Sequence, residues 1–264
     1  MKKLIFLGGD SRTKIAYNSL KEKGFSTTSL GLFENDNGDI LKCDTVIFPV
    51  PSTKDFKTVY CPLTDKKILF SDIKHLLKGK HIISGGKLPL DFSYTDILND
   101  DFYAIQNAVP TAEGAISFCI ENTPFTLFGS KVLVIGYGRV AKILVSRLQG
   151  FKCDITVSAR KASDFAYINT LGDKYINTAN VLDFIKEFDI VFNTIDVELF
   201  KNVSVLKDTL LIDLSTKGCT DFESARKNNI KAFKLPGIPA KTAPVTAGKI
   251  LENTLYNLIT KAND

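Results

Sequence analysis

Short apolar runs rich in β-branched residues alternate along this chain with amphipathic stretches of helical spacing, the pattern that specifies parallel strands joined by crossover helices. In the first part the runs predict strands over 3–8, 27–31, 45–50, 81–84 and 102–106, and a helix over about 13–23 closed by Gly24. Five such strands form a flavodoxin-like pattern. The polar, irregular stretch from Ser52 to Pro62 directly follows a strand end, where ligands bind in open α/β sheets.

A helix is predicted next, running to about Asn122, with Thr111 as N-cap and Glu113 in its first turn. It reads as a bridge between domains. A second series follows: strands over 131–135, 154–157, 190–194, 210–214 and 231–235, helices over 140–148, 162–171 and 221–228, and a last helix over 245–260. The expected fold class is therefore α/β, with two Rossmann-like or flavodoxin-like domains, parallel sheets and a cleft between them. Residues 1–109 form the flavodoxin-like, substrate-side domain. Residues 110–264 supply the linker helix and a dinucleotide-binding domain that starts near Thr126, and the final helix is able to pack back on the first domain.

The length of 264 residues and 44% hydrophobic content suit two compact cores. The net charge of +5 comes from Lys and Arg scattered along the chain, which argues against a nucleic-acid partner. No apolar stretch approaches the length needed to span a bilayer, and the apolar run near the N-terminus stops at Gly8-Gly9-Asp10, so it reads as a strand. Five cysteines without close C-x-x-C spacing suggest neither a disulfide framework nor a metal site and fit a reducing cytoplasm.

The chemistry-bearing motif is Val132-Leu-Val-Ile-Gly136-Tyr-Gly138-Arg139-Val140-Ala141, a strand running into G-x-G-x-x-A and then a helix. Gly136 permits the tight turn, Gly138 lets backbone approach a pyrophosphate, and the small Ala141 lets helix and strand pack closely, while the helix N-terminus faces the anion. Arg139 and Val140 stand in that first turn. About 22 residues on, the next strand ends in Ser158-Ala-Arg160-Lys161, where an NAD-preferring protein carries an acid for the ribose hydroxyls. Ser158, Arg160 and Lys161 suit the 2′-phosphate of NADP instead. Asn193 and Thr194, at a later strand end, border the nicotinamide in such a sheet.

Beyond single motifs, five segments together are similar to the family of dipicolinate synthase A-subunits. They are Gly8-Gly9-Asp10-Ser-Arg12, Asn107-Ala-Val-Pro110-Thr111-Ala-Glu113-Gly114, Gly136-Tyr-Gly138-Arg139, Asp213-Leu-Ser-Thr-Lys217-Gly218-Cys219-Thr220-Asp221-Phe222 and Pro236-Gly237-Ile-Pro239 through Gly248. The chain departs from the family at Lys217-Gly218-Cys219, where a Pro-Gly-Gly run is usual, and at Ala240, where a glycine is usual.

The resemblance implies an NADP-linked oxidation of dihydrodipicolinate to dipicolinate in the mother cell of a spore-forming bacterium, beside a flavoprotein-like B-subunit. On this reading Glu113 and Lys217 are the catalytic candidates, Glu113 as base and Lys217 as carboxylate partner. Arg12, Asn107, Thr111 and Lys241 are the further candidates for holding a small dicarboxylate, although Arg12 and Asp10, both just past the first strand, are also placed to pair with each other.

Two other functions fit the same pattern: a non-catalytic NADP-binding regulatory subunit, and an NADP-dependent reductase of another small cyclic acid. A D-2-hydroxy acid dehydrogenase would present a catalytic histidine late in its nucleotide domain, whereas His75 and His81 both lie in the first half. A homo-oligomer is compatible with any of these.

Overall fold

A computed structural model describes residues 2–261. The chain divides into two units, one made of residues up to Asn107 together with those from Pro239 onward, the other of Ala108–Ile238.

In the first unit the order is β1 (Lys3–Leu7), α1 (Ser11–Glu22), β2 (Ser26–Leu30), β3 (Thr45–Ile47), α2 (Phe70–Ile73), β4 (His81–Ser84) and β5 (Thr95–Asp96). These strands form one parallel sheet of order β2-β1-β3-β4-β5, the flavodoxin-like arrangement. Period-two alternation feeds both faces of it: Leu4 and Phe6 point into one core, Ile5 and Leu7 into the other.

The segment over 102–106 is not a strand. It opens α3 (Asp101–Asn122), a single helix of 22 residues whose start is held by Asp100, its carboxylate accepting the Tyr103 N–H at 2.8 Å. Tyr103 is buried while Phe102 and Ile105 are exposed, so the aromatic and aliphatic residues here follow a helical face and no strand period. Pro110 sits inside this helix. Thr111 is accordingly no N-cap and Glu113 lies in no first turn, both being mid-helix positions.

The second unit continues with β6 (Lys131–Ile135), α4 (Arg139–Gly150), β7 (Asp154–Ala159), α5 (Ala162–Thr170), β8 (Lys174–Asn177), α6 (Val181–Phe184), β9 (Ile190–Asn193), β10 (Leu210–Asp213), α7 (Phe222–Lys227) and β11 (Ala232–Lys234). Its parallel sheet runs β11-β10-β9-β6-β7-β8. Counted from β6, that is the dinucleotide-binding order 3-2-1-4-5-6 read from the other edge. The edge strand β8 has no apolar alternation and is largely exposed, and for that reason the sequence pattern does not reveal it.

After α8 (Ile238–Thr242), the helix α9 (Pro244–Lys261) lies in the first unit against α1. Gly248 makes the approach feasible, because a β-carbon there would come within 2.7 Å of Ile15 Cβ. Buried Glu252 then pairs with Lys23 at 2.7 Å.

Candidate cofactor and substrate site

Strand order reverses between β6 and β9, and in an open parallel sheet the crevice at such a point receives the ligand. Gly136 leaves β6 with φ +97°, and a β-carbon on it would lie 2.6 Å from both Thr194 Oγ1 and Ile195 Cγ2. Only glycine fits. Thr194 in turn donates its hydroxyl to the Ile135 carbonyl at 2.8 Å, which fastens the end of β9 to the end of β6. Gly138 differs in kind: it is the N-cap of α4, and a β-carbon there would meet nothing within 4 Å. Glycine here keeps space open and offers no side-chain acceptor to the first turn of a twelve-residue helix. Arg139 and Val140 follow in that turn, and Ala141 is fully buried against the sheet. An anion of pyrophosphate size suits this place, since it meets helix amides and no side chain.

Strand β7 runs to Ala159, further than the sequence pattern predicts, and Ser158 is consequently inside it. The Ser158 hydroxyl is fully buried, 3.2 Å from Thr178 Oγ1 and 3.4 Å from the Gly136 N–H. The expectation that Ser158 faces a 2′-phosphate is corrected: it props the glycine turn from beneath. Arg160 and Lys161 stand at the exposed tip, Lys161 as N-cap of α5.

On the other side of the crevice, Asn193 is fully buried. Its amide donates to the Ile195 carbonyl at 2.9 Å and to Asp213 Oδ1 at 2.8 Å, so it builds the floor beneath the turn after β9. Asp213, also fully buried, further accepts the N–H groups of Ser215 and Cys219, both at 2.9 Å. A buried carboxylate must be hydrogen-bonded, and this one is met by three donors. Burial, reinforced by the neighbouring Asp213, pushes the Cys219 thiol up, so it stays protonated. Lys217 is exposed on the turn between them, and the half-buried Lys234 donates to the Thr216 carbonyl at 2.7 Å.

Glu113 is exposed and ion-paired with Arg147 of α4 at 3.2 Å. Asn107 and Thr111 are half-buried on α3, and Lys241 is exposed on α8. Arg12 is buried, with its guanidinium 2.7 Å from Asp10 and donating to the Val50 carbonyl, so the expectation of a substrate contact is corrected: this cation ties the start of α1 to the segment after β3. Among the described residues, no group of three or more His, Cys, Asp or Glu is placed to hold a metal ion.

Comparison with known proteins bears on the whole chain. The family model for the N-terminal domain of the dipicolinate synthase A-subunit matches residues 3–93. The A-subunit of dipicolinate synthase from Bacillus subtilis (strain 168) is 29% identical over 97% of this chain and 95% of that protein. Over nearly its whole length the chain is similar to dipicolinate synthase A-subunits. The crystal structure of the corresponding chain of dipicolinate synthase from Bacillus subtilis superposes with a TM-score of 0.88 at 28% identity, covering 100% of this chain and 98% of that one. D-Lactate dehydrogenase from Salmonella shares the fold alone, with a TM-score of 0.65 at 14% identity over 97% and 95% of the two chains. The chain thus carries a dehydrogenase-like fold, with the Gly136–Gly138 turn at the point where its second sheet reverses strand order.

The sequence pattern leaves Asp213, Asp196 and Lys234 unnamed as site residues. A carboxylate closing the all-apolar run Leu210-Leu-Ile is the available signal for Asp213, because an acid there is buried unless the strand ends early.

Proposed function

We propose that this chain binds NADP(H) at the Gly136–Gly138 turn and oxidises dihydrodipicolinate to dipicolinate as one component of a two-component synthase. The observation that carries the reading is the contrast between the two glycines: one is filled by Thr194, and the other is open at a helix N-terminus. Bound there, NADP supplies the acceptor for the hydride. The α4 N-terminus holds the pyrophosphate, and Arg160 and Lys161 hold the 2′-phosphate through charge-assisted hydrogen bonds, Arg160 with a planar fork.

Dihydrodipicolinate loses one hydride and one proton and becomes an aromatic ring, so chemistry is strongly downhill and the residues mainly need to orient the substrate. Lys217 takes one substrate carboxylate, while Asn193 and Asp213 hold its turn from below. Glu113 receives no chemical role in this reading, because Arg147 already occupies its carboxylate. The five free cysteines suit a reducing cytoplasm, and the family suggests a flavoprotein-like B-subunit as partner.

The test is the initial rate of NADPH formation from freshly generated dihydrodipicolinate, with and without that B-subunit. NADP-dependent turnover supports the reading. Cofactor binding without turnover in either condition would leave a regulatory role, and turnover of other cyclic acids in preference would make the chain a reductase of a different substrate.

A further inference from the structure

The turn after β10 has an unusual property: each of its five consecutive backbone N–H groups, from Ser215 to Cys219, donates to a side-chain oxygen. Ser215 donates to Asp213 Oδ1 at 2.9 Å, Thr216 and Lys217 to Asp196 Oδ1 at 2.6 and 2.9 Å, Gly218 to Ser215 Oγ at 3.1 Å, and Cys219 to Asp213 Oδ2 at 2.9 Å. Asp196 belongs to the turn after β9 and Asp213 to the end of β10, so two carboxylates from neighbouring strand ends clamp one loop. Ordinarily a Ser-Thr-Lys-Gly turn with Gly218 at φ +101° would present amides to an anion as a nest. Here the amides are consumed from within, and the cation that the turn offers outward is the Lys217 ammonium.

We infer that Asp196 and Asp213 are positioning residues that set the Lys217 backbone, and thereby its ammonium, for the substrate carboxylate. The inference rests on the proposed role of Lys217. It also assigns this loop's selectivity to a side chain, so anion recognition there depends on Lys217 and not on the peptide groups. Asp213 is fully buried and its loss endangers the fold, whereas Asp196 is exposed and can be changed without opening a core. Asp196→Ala removes the acceptor, and Asp196→Asn keeps an oxygen that can accept the same two N–H groups.

The experiment combines amide hydrogen exchange of the unliganded full chain with steady-state kinetics of the synthase, for Asp196→Ala, Asp196→Asn, Lys217→Ala and the Asp196→Ala/Lys217→Ala pair. Asp196→Ala is expected to speed exchange at 216 and 217 by about tenfold, the loss of one hydrogen bond each. It should raise the Michaelis constant for dihydrodipicolinate several-fold while leaving NADP affinity unchanged, and Asp196→Asn should recover most of both effects. The double variant should be no worse than Lys217→Ala, because both act through one group. Unchanged exchange in Asp196→Ala overturns the inference outright. A raised Michaelis constant in Lys217→Ala but not in Asp196→Ala overturns the inference alone. An unchanged constant in Lys217→Ala overturns the proposed role of Lys217, and the inference with it.

Discussion

Gly136 and Thr194 meet at the point where the second sheet reverses its strand order, with the space for a β-carbon on the glycine ending 2.6 Å from the threonine hydroxyl. That hydroxyl is spent on the Ile135 carbonyl, so it cannot swing aside without giving up a hydrogen bond. The turn is therefore set by contacts inside the protein, and the open side of it is left to Gly138.

The two glycines should fail differently. Gly136→Ala places a side chain at positive φ and against Thr194 and Ile195, and should cost roughly 1–3 kcal/mol of stability. Gly138→Val puts its β-carbon where no protein atom lies within 4 Å, and should keep the melting temperature of the parent while abolishing cofactor binding. Thermal unfolding and fluorescence titration of both variants decide this. Normal cofactor affinity in Gly138→Val would reduce the turn to a structural feature.

Cofactor choice should reside in Arg160. Removing one charge-assisted contact to a phosphate weakens binding by roughly ten- to a hundred-fold, so Arg160→Ala should lose that much affinity for NADP(H) and little for NAD(H). Calorimetry with both cofactors measures it. Equal affinities of the parent for the two would contradict the assignment.

Much of the second unit is legible from residue pattern because β6, β9 and β10 each contain a run of three or four apolar residues and the glycine turn sits between a strand and a helix. The failures share a cause: side-chain direction depends on where an element ends. Ser158 reads as a strand tip, but β7 continues to Ala159 and turns its hydroxyl inward. Thr111 and Glu113 read as a helix start, yet Asp100 caps the helix far upstream and Pro110 is carried inside it. Arg12 is open in the sequence to a substrate contact or to pairing with Asp10, and the structure forms the pair. Partners that close over sequence distance, such as Asp196 with the Lys217 turn, have no local signature at all.

The first unit should show an acid-sensitive component of stability. Burial works against ionisation of Asp36, but N–H groups of Phe33, Gly31 and Leu32 and the Lys66 ammonium hold its carboxyl down, from the usual 3.8 to about 2. A carboxyl depressed on folding stabilises above its unfolded value and loses that contribution as pH falls from about 4 towards 2. The contribution at neutral pH is about 2 kcal/mol. Denaturant unfolding across that range should show parent and Asp36→Asn converging at the acid end, and a constant difference at every pH would contradict the assignment.

Glu113→Gln should be close to silent. The pair with Arg147 is exposed, and such pairs are worth between zero and about 1 kcal/mol. Turnover and melting temperature of the variant check this, and a fall in turnover of about two orders of magnitude would restore Glu113 as a general base.

Isotope transfer follows the hydride from substrate to NADP. Dihydrodipicolinate deuterated at its saturated ring carbons is incubated with NADP and the synthase, and the recovered NADPH is weighed by mass spectrometry. NADPH carrying deuterium from the substrate is expected, together with dipicolinate in equal amount. Dipicolinate formed while the cofactor stays oxidised, or NADPH free of the label, would contradict it.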